Sequence, residues 1–495
     1  MALKEKTIDG MIWSSIGNIG AIVIQFLTNI VLARLISPDD FGCIAMLYIF
    51  ISISNTFISS GLGSALVQSK EVKRIDYTTV FYYNLAVALL FVIILFLAAP
   101  AISRFYDIPL LTKVLRIQSL NLIILSFSMV PFIEMQRELR FKALNLRNLV
   151  AAISGAIVAI FMALKGYGVW SLVANGLVTG VVDVCLLWGL SNWKPTWEFS
   201  WDSFKRLFSF GGLLLISTLF ETIYSNIQGL LIGRIYNKTT LGYYTQARKL
   251  EEVPSTTISK IVENVSFPVV AKIQDDKERV RFALQRQYQA VSFLNFPLII
   301  LLMVIARPLI LLIFGAKWEP SVHYFQILCL SALIYNISTL STSTVKALGK
   351  AKAYLIMQIT KRTIGLVLVI LGAQISVEGL MYGFVASSYI SLLINMIVIR
   401  HFVNYRIRDY FLHLGPTLLA ALLAALPTAL IVFDNSWIHE ALFTAITIPN
   451  WAIAIGATLL FSALYIGCSK ILHISTLSLY KDILKSKLTG RKAEV

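Results

Sequence analysis

Residues 241–276, LGYYTQARKLEEVPSTTISKIVENVSFPVVAKIQDD, hold the densest set of side chains in this sequence that could do chemistry. On a helix at 100° per residue, Thr245, Arg248, Lys249, Glu252, Ser255, Thr256, Ser259, Lys260 and Glu263 share one face roughly 140° wide. Ala247, Leu250, Val253, Pro254, Ile258, Ile261, Val262 and Val265 take the other side. Arg248, Lys249 and Lys260 are offset by Glu251, Glu252 and Glu263. Such a helix either lies on a membrane surface or spans it with its polar side turned to water. Six charges belong in a span only where water or a charged ligand meets them. They also fit a ladder among themselves, with Arg248–Glu252 at i,i+4 and Lys249–Glu252 and Lys260–Glu263 at i,i+3. Pro254 removes a backbone hydrogen bond at the centre of the stretch and is the candidate hinge.

Other ionisable residues inside apolar runs are few. Glu221 lies in the middle of LLLISTLFETIYSNIQGLL and Asp183 near the end of VTGVVDVCLLWG. Each is either a structural partner for a neighbouring helix or a carboxylate that couples to an ion. Lys361 and Arg362 fall early in an apolar run, where they either snorkel to the interface or line a cavity. Arg34 and Arg234 end their runs, as helix caps or as anion contacts at the outer mouth.

Enzyme chemistry finds no support. The five histidines lie near run ends or in loops, and none pairs with another at metal-ligand spacing. Phosphate-binding loops, dinucleotide fingerprints and nucleophile elbows are absent from the sequence. Cys43, Cys185, Cys329 and Cys468 are scattered singly, without disulfide or metal spacing, and read as packing residues. No cofactor and no metal is expected. The tryptophans near run ends, among them Trp170, Trp188, Trp193, Trp197, Trp201, Trp318, Trp437 and Trp451, read as an interfacial belt.

The elements that position these residues are membrane helices. Hydrophobic residues make up 57% of the 495 and charged residues 14%, against about 25% charge in a soluble chain. Apolar runs of membrane length recur from end to end and define an all-α polytopic membrane protein. Fourteen spans are read: 11–33, 42–66, 78–99, 116–133, 149–164, 169–190, 209–232, 242–270, 289–306, 322–345, 354–373, 378–399, 411–433 and 448–469. The first is full length with no cleavage site after it, which excludes a cleaved signal. The net charge of +17 is carried by short loops, as an orientation signal would be, and does not indicate nucleic acid. With both termini cytoplasmic, 29 of the 43 Lys and Arg fall on the cytoplasmic side, nine outside and five within spans. Deleting the span at 242–270 would invert every later loop and turn the basic tail, residues 470–492, outward. That span is therefore read as crossing.

The chain also repeats itself. NIVLARLISPDDFG at 29–42 aligns without a gap with GLLIGRIYNKTTLG at 229–242, matching Arg34 with Arg234 and Gly42 with Gly242. FKAL at 141–144 matches VKAL at 345–348 at an offset of 204, and Pro100 matches Pro308 at 208. The offsets predict two six-helix lobes in parallel topology, 1–200 and 201–405, followed by two further helices in 406–495. Two such lobes imply a central cavity open to one side at a time. The eighth span then pairs with the second, whose polar residues are uncharged: Ser52, Ser54, Asn55, Thr56, Ser59, Ser60 and Ser64.

VLARLISPDDFGCIAM at 31–46, MQRELRFKALN at 135–145, the stretch at 241–276 and FGAKWEPSVHYFQILCL at 314–330 resemble the Wzx-like polysaccharide exporters, in their colanic acid exporter branch, of the multidrug/oligosaccharidyl-lipid/polysaccharide (MOP) flippase superfamily. The resemblance implies a flippase of the bacterial inner membrane that moves a polyprenyl-diphosphate-linked oligosaccharide by alternating access. It further implies coupling to a proton or sodium gradient and association with polysaccharide polymerase and assembly proteins. Arg248, Lys249, Arg362 and Lys361, with Arg34 and Arg234 at the mouth, would meet the diphosphate and glycan. Glu221, Glu252 and Asp183 would be the coupling candidates. Equal numbers of acids and bases on the eighth span depart from a simply cationic cavity. A small-molecule or cation antiporter on the same fold, and a membrane-bound glycan polymerase or ligase, are the alternative readings. Arginines at the mouth favour an anionic substrate over a cationic drug, and short outer loops disfavour the polymerase.

Overall fold

The computed structural model describes residues 2–59, 61–69, 71–432, 449–474, 476 and 477, with the side chains of 2–16, 18, 19, 210 and 213 excepted. Ser60, Trp437, His439 and the part of the basic tail beyond residue 477 lie outside the described residues. The described chain is helical throughout, as the apolar runs require. In order the helices are α1 (Ala2–Leu35), α2 (Pro38–Ser59), α3 (Leu62–Gln68), α4 (Arg74–Tyr106), α5 (Leu110–Arg137), α6 (Phe141–Leu164), α7 (Val169–Leu190) and α8 (Trp201–Ile235). There follow α9 (Lys238–Lys272), α10 (Lys277–Val304), α11 (Ala306–Ile313), α12 (Pro320–Ala347), α13 (Ala351–Ala373), α14 (Val377–Val403), α15 (Ile407–Val432) and α16 (Asn450–Ile471). Among the described residues fourteen of these have 22 residues or more, one for each span read from the sequence.

Length and composition qualify eleven helical segments to cross a membrane, or twelve when the two arms of α8 count as one span. α9 is not among them, because of the charges already noted. Of α1, Gly20–Leu35 is recognised as a shorter apolar stretch. The count of fourteen crossings thus remains an expectation for these two helices. α8 bends by 56° between Trp201–Ser209 and Leu214–Ile235.

Two compact units divide the chain, Met1–Thr245 and Gln246–Val495. In the first, α4 packs on α5, α6 on α7, α1 on α6, and α2 and α3 on α8. Here α2 and α3 form one span broken at Gly61, which adopts a left-handed φ of 69°. A Cβ on Gly61 would stand 2.4 Å from the Gly211 carbonyl oxygen, at the bend of α8. Only glycine satisfies both demands. The glycines that align in the repeat also meet here: a Cβ on Gly42 would lie 1.8 Å from Lys238 O, and one on Gly242 would lie 2.1 Å from Pro38 O. Asp39 fastens the same crossing, accepting from Thr239 Oγ1 at 2.5 Å and pairing with Lys238 Nζ at 3.0 Å.

In the second unit α13 packs on α14, α12 on α14 and α10, and α15 on α10 and α16. The buried cluster joins α9 to these helices through Val262, Val270, Leu284, Tyr288, Ile337 and Leu340.

Three intrahelical prolines follow one rule. Proline lacks an N–H, so the carbonyl four residues earlier is left without its partner, and hydrocarbon offers no water to replace it. For Pro100 the orphan is Phe96 O, which accepts from Arg116 Nε of α5 at 3.2 Å. For Pro131 it is Phe127 O, which accepts from Trp188 Nε1 of α7 at 3.0 Å. For Pro297 it is Phe293 O, which accepts from Tyr465 Oη of α16 at 3.0 Å. Trp188 therefore has an internal partner, and Trp193 and Trp318 are buried. These three depart from the expected interfacial belt, whereas Trp197, Trp201 and Trp451 are exposed.

Candidate functional site

A cavity of about 930 Å³ opens in the first unit, walled by α2, α3, α5, α6 and α7. Its polar lining comes from Asn55, Thr56 and Ser59 at the end of α2, Ser64 and Gln68 on α3, Ser128 and Gln136 on α5, Arg147 on α6 and Asp183 on α7. Asn55, Thr56 and Ser59 lie before the break at Gly61 and Ser64 and Gln68 after it, and both sets line the same space. Thr56 also bonds Thr222 of α8 at 3.0 Å.

The two charged lining residues form a pair. Arg147 Nη1 donates to Asp183 Oδ2 at 3.2 Å, and Nε stands 3.2 Å from Oδ1. The arginine side chain is 9% exposed and the aspartate 21%. The guanidinium also sits 5.6 Å from the centre of the Phe132 ring, within cation–π range. Arg147 belonged to the inter-span loop 134–148 on the sequence reading. The structure corrects this: α6 begins at Phe141, so Arg147 is inside the helix and faces the cavity. The signal was present in the spacing. From Arg147 to the end of α6 and from the start of α7 to Asp183 are comparable lengths of helix, so an antiparallel hairpin sets the two residues at one level.

The other predicted residues fall in separate places. In the second unit Arg248 Nε bonds Glu252 Oε1 at 2.9 Å, and its guanidinium lies 5.6 Å from the Phe384 ring centre. Of the predicted ladder this i,i+4 pair forms, whereas Lys260 and Glu263 make no ion pair among the described residues. Lys249 and Glu252 are exposed. The two-faced division of α9 needs revision. Its buried seam is Ala247, Leu250, Ser255, Ser259, Val262, Ser266 and Val270, while Val253, Ile261 and Val265 are exposed. Small hydroxyl residues pack closely, and two find partners across the seam, Ser259 Oγ donating to Asn336 Oδ1 at 2.7 Å and Ser266 Oγ to Gln287 Oε1 at 2.8 Å, while Ser255 Oγ donates within α9 to Glu251 Oε1 at 2.6 Å. Pro254 lies within α9.

Lys361 sits between α12, α13 and α14 and does not reach for the interface. Its ammonium donates to Thr342 Oγ1 at 3.3 Å and to Asn395 Oδ1 at 3.2 Å. Asn395 in turn donates to Ser338 Oγ at 2.7 Å. Arg362 is half-buried beside it. In the first unit Arg34 and Arg234 are exposed in the last turns of α1 and α8, the second 5.0 Å from the Phe105 ring centre. Glu221 is exposed on α8. Chemically, the arrangement offers a cavity of mixed lining, apolar side chains interspersed with hydroxyls, amides and one charge pair, and separately a charged helix.

Comparison with known proteins adds the family. A profile described as "Polysaccharide biosynthesis protein" matches residues 31–323. The chain is 25% identical over 418 residues to the lipopolysaccharide biosynthesis protein WzxC of Escherichia coli (strain K12), covering 84% of this chain and 85% of that protein. It is 28% identical over 340 residues to the succinoglycan biosynthesis transport protein ExoT of Rhizobium meliloti (strain 1021), covering 68% of each. Among solved structures it is similar to the lipid II flippase MurJ in an inward closed conformation. That likeness has a TM-score of 0.69 at 16% identity, covers 92% of this chain and 98% of that one, and concerns the fold.

Proposed function

The chain belongs to the polysaccharide biosynthesis protein family, and on that premise we propose that it is a multi-pass transporter, not an enzyme, that flips a polyprenyl-diphosphate-linked oligosaccharide repeat unit across the bacterial cytoplasmic membrane. The observation that carries this reading is the cavity of about 930 Å³. Helices apolar enough to cross a membrane wall it, and among apolar side chains such as Ile58, Val67, Leu125, Met129, Phe132 and Ile133 its lining sets hydroxyls, amides and an ion pair. Hydrocarbon does not tolerate such a lining unless a polar cargo or water fills it. The relatives bear on what that cargo is: one is named for lipopolysaccharide biosynthesis and another for succinoglycan transport.

In this reading Arg248, Lys249, Arg362 and Lys361 meet the diphosphate, and Arg34 and Arg234 attract it at the outer mouth. Glu221, Glu252 or Asp183 carries the coupling proton or sodium ion, and Pro254 lets α9 flex between states. Both termini are cytoplasmic, and polymerase and assembly proteins act on the product.

Deletion of the gene tests the reading. The expected result is loss of surface glycan, build-up of the lipid-linked repeat unit on the inner leaflet, and recovery of both by the wild-type chain. Normal surface glycan in the deletion strain, with no build-up, would overturn it.

A further inference from the structure

We infer that the cavity of the first unit is a sugar pocket: it takes an uncharged pyranose of the cargo, held by Asn55, Ser128 and Gln136 and oriented by the Arg147–Asp183 pair, and it excludes the diphosphate. The inference rests on the exporter reading for the identity of its cargo and on the cavity for its chemistry.

Charge comes first. Among the residues that line the cavity, Arg147 and Asp183 are the charged ones, and each neutralises the other at 3.2 Å. A diphosphate would face a carboxylate whose countercharge is already engaged. Releasing Arg147 to bind it would leave Asp183 unpaired in a low-dielectric site, a costly exchange. A neutral ligand avoids that exchange.

Hydrogen-bond inventory comes second. Phosphate oxygens accept and do not donate, as does an ionised carboxylate, whereas a hydroxyl does both. The lining mixes donors with acceptors that need a donor. Asn55 and Gln136 each bring an amide with a donor end and an acceptor end, and Ser59, Ser64 and Ser128 add hydroxyls. A sugar diol satisfies the two kinds at once, donating to the amide or carboxylate oxygen and accepting from the guanidinium or a serine hydroxyl. A diphosphate brings no donor for the amide oxygens of Asn55 and Gln136, and each acceptor buried without a partner costs about 1–3 kcal/mol. Size agrees, since about 930 Å³ falls within the range of small-molecule sites.

The test uses the purified full-length chain and saturation-transfer difference NMR. The probes are a panel of neutral methyl glycosides (glucoside, galactoside, mannoside and N-acetylglucosaminide), methyl glucuronide, and inorganic diphosphate as competitor. At least one neutral glycoside should bind, and excess diphosphate should not displace it. Asn55→Leu and Gln136→Leu should weaken that binding about fivefold to tenfold, the effect of one or two lost hydrogen bonds. Ser128→Val serves where either of those variants fails to accumulate. Asp183→Asn leaves Arg147 uncompensated and should admit the glucuronide, which a merely structural pair would not bring about. Displacement by diphosphate, wild-type binding in the Asn55, Gln136 and Ser128 variants, or no binding of any neutral glycoside would each overturn the pocket. Export in the complemented deletion strain separates the two readings. A strain that exports through a chain binding no glycoside retains the exporter and loses the pocket. A chain that binds glycosides but restores no export does the reverse.

Discussion

At the scale of single residues, two kinds of polar contact occupy the helices, and they predict different mutant behaviour. The first answers proline. Trp188 donates to Phe127 O, the carbonyl that Pro131 leaves without its helical partner. Trp188→Phe should lower stability by about 1–2 kcal/mol, the net value of one buried hydrogen bond plus the orphaned acceptor. In a Pro131→Ala background the helix satisfies Phe127 O itself, and the same change should cost far less. Thermal unfolding of the four proteins in the cycle measures the coupling; additive effects would mean that the indole serves only by filling space. The second kind is the Arg248–Glu252 pair. If Arg248 serves the cargo, its acid neighbour merely poses it. Arg248→Ala should then abolish surface glycan while the chain still inserts, and Glu252→Gln should retain most export. Equal loss in both variants would show that the pair matters for its own sake, and normal export in Arg248→Ala would remove it from the cargo path.

At the scale of elements, apolar periodicity was enough to find the long helices, because a run of membrane length has one stable form in hydrocarbon. What it could not find were features set by one residue's backbone or by a neighbour's side chain. Gly61 breaks what reads as one continuous span at 42–66, and residues on both sides of the break line one cavity. Arg147 looked like one more loop cation, since cations near span ends usually are. Its partner on the next helix is what makes it part of the site. The seam of α9 departs from the hydropathy pattern for a related reason. Hydropathy ranks serine as polar, but a serine that can bond across a helix contact packs as a small residue. Pro254 differs from the three prolines whose orphan carbonyls are met, as do Pro268, Pro416 and Pro427: among the described residues no side-chain donor reaches Leu250 O. An unmet carbonyl in mid-helix weakens the helix where it lies, as a hinge requires. Pro254→Ala should therefore raise thermal stability, by up to about 3 kcal/mol, and slow export. A variant that is stabilised but exports at the wild-type rate would show the proline to be tolerated, with no part in the motion.

At the scale of the whole molecule, the open quantity is how many times the chain crosses, and it turns on α9. Length permits a crossing: 35 residues at 1.5 Å each reach roughly 50 Å. Composition alone argues against it, and that helix fails on polarity. The loop charges argue for it. Moving Arg147 from the loop set into the cavity leaves the bias toward the cytoplasmic side near threefold, in the direction that orients membrane proteins. Some of these loop cations also have structural work that keeps them where they are. Arg137 Nη1 donates to Ser69 O at 2.8 Å just past α3, and Arg140 Nη1 to Leu190 O at 2.9 Å at the end of α7. Cations at helix C-termini are favoured by the helix dipole as well as by the membrane potential. An α9 lying on one surface would reverse the side of every loop that follows, including the cations of the α9–α10 turn. Alkaline phosphatase fused after Thr240 should therefore be active, on the outer side, and fused after Asp275 inactive, with green fluorescent protein giving the reverse pattern. The two junctions flank most of α9 and little else, so their contrast reports this helix alone. Matching phenotypes at both junctions would lay α9 on one face of the membrane and reduce the crossings by one. They would also take Arg248 and Lys249 out of the translocation path, whatever their mutants do to export.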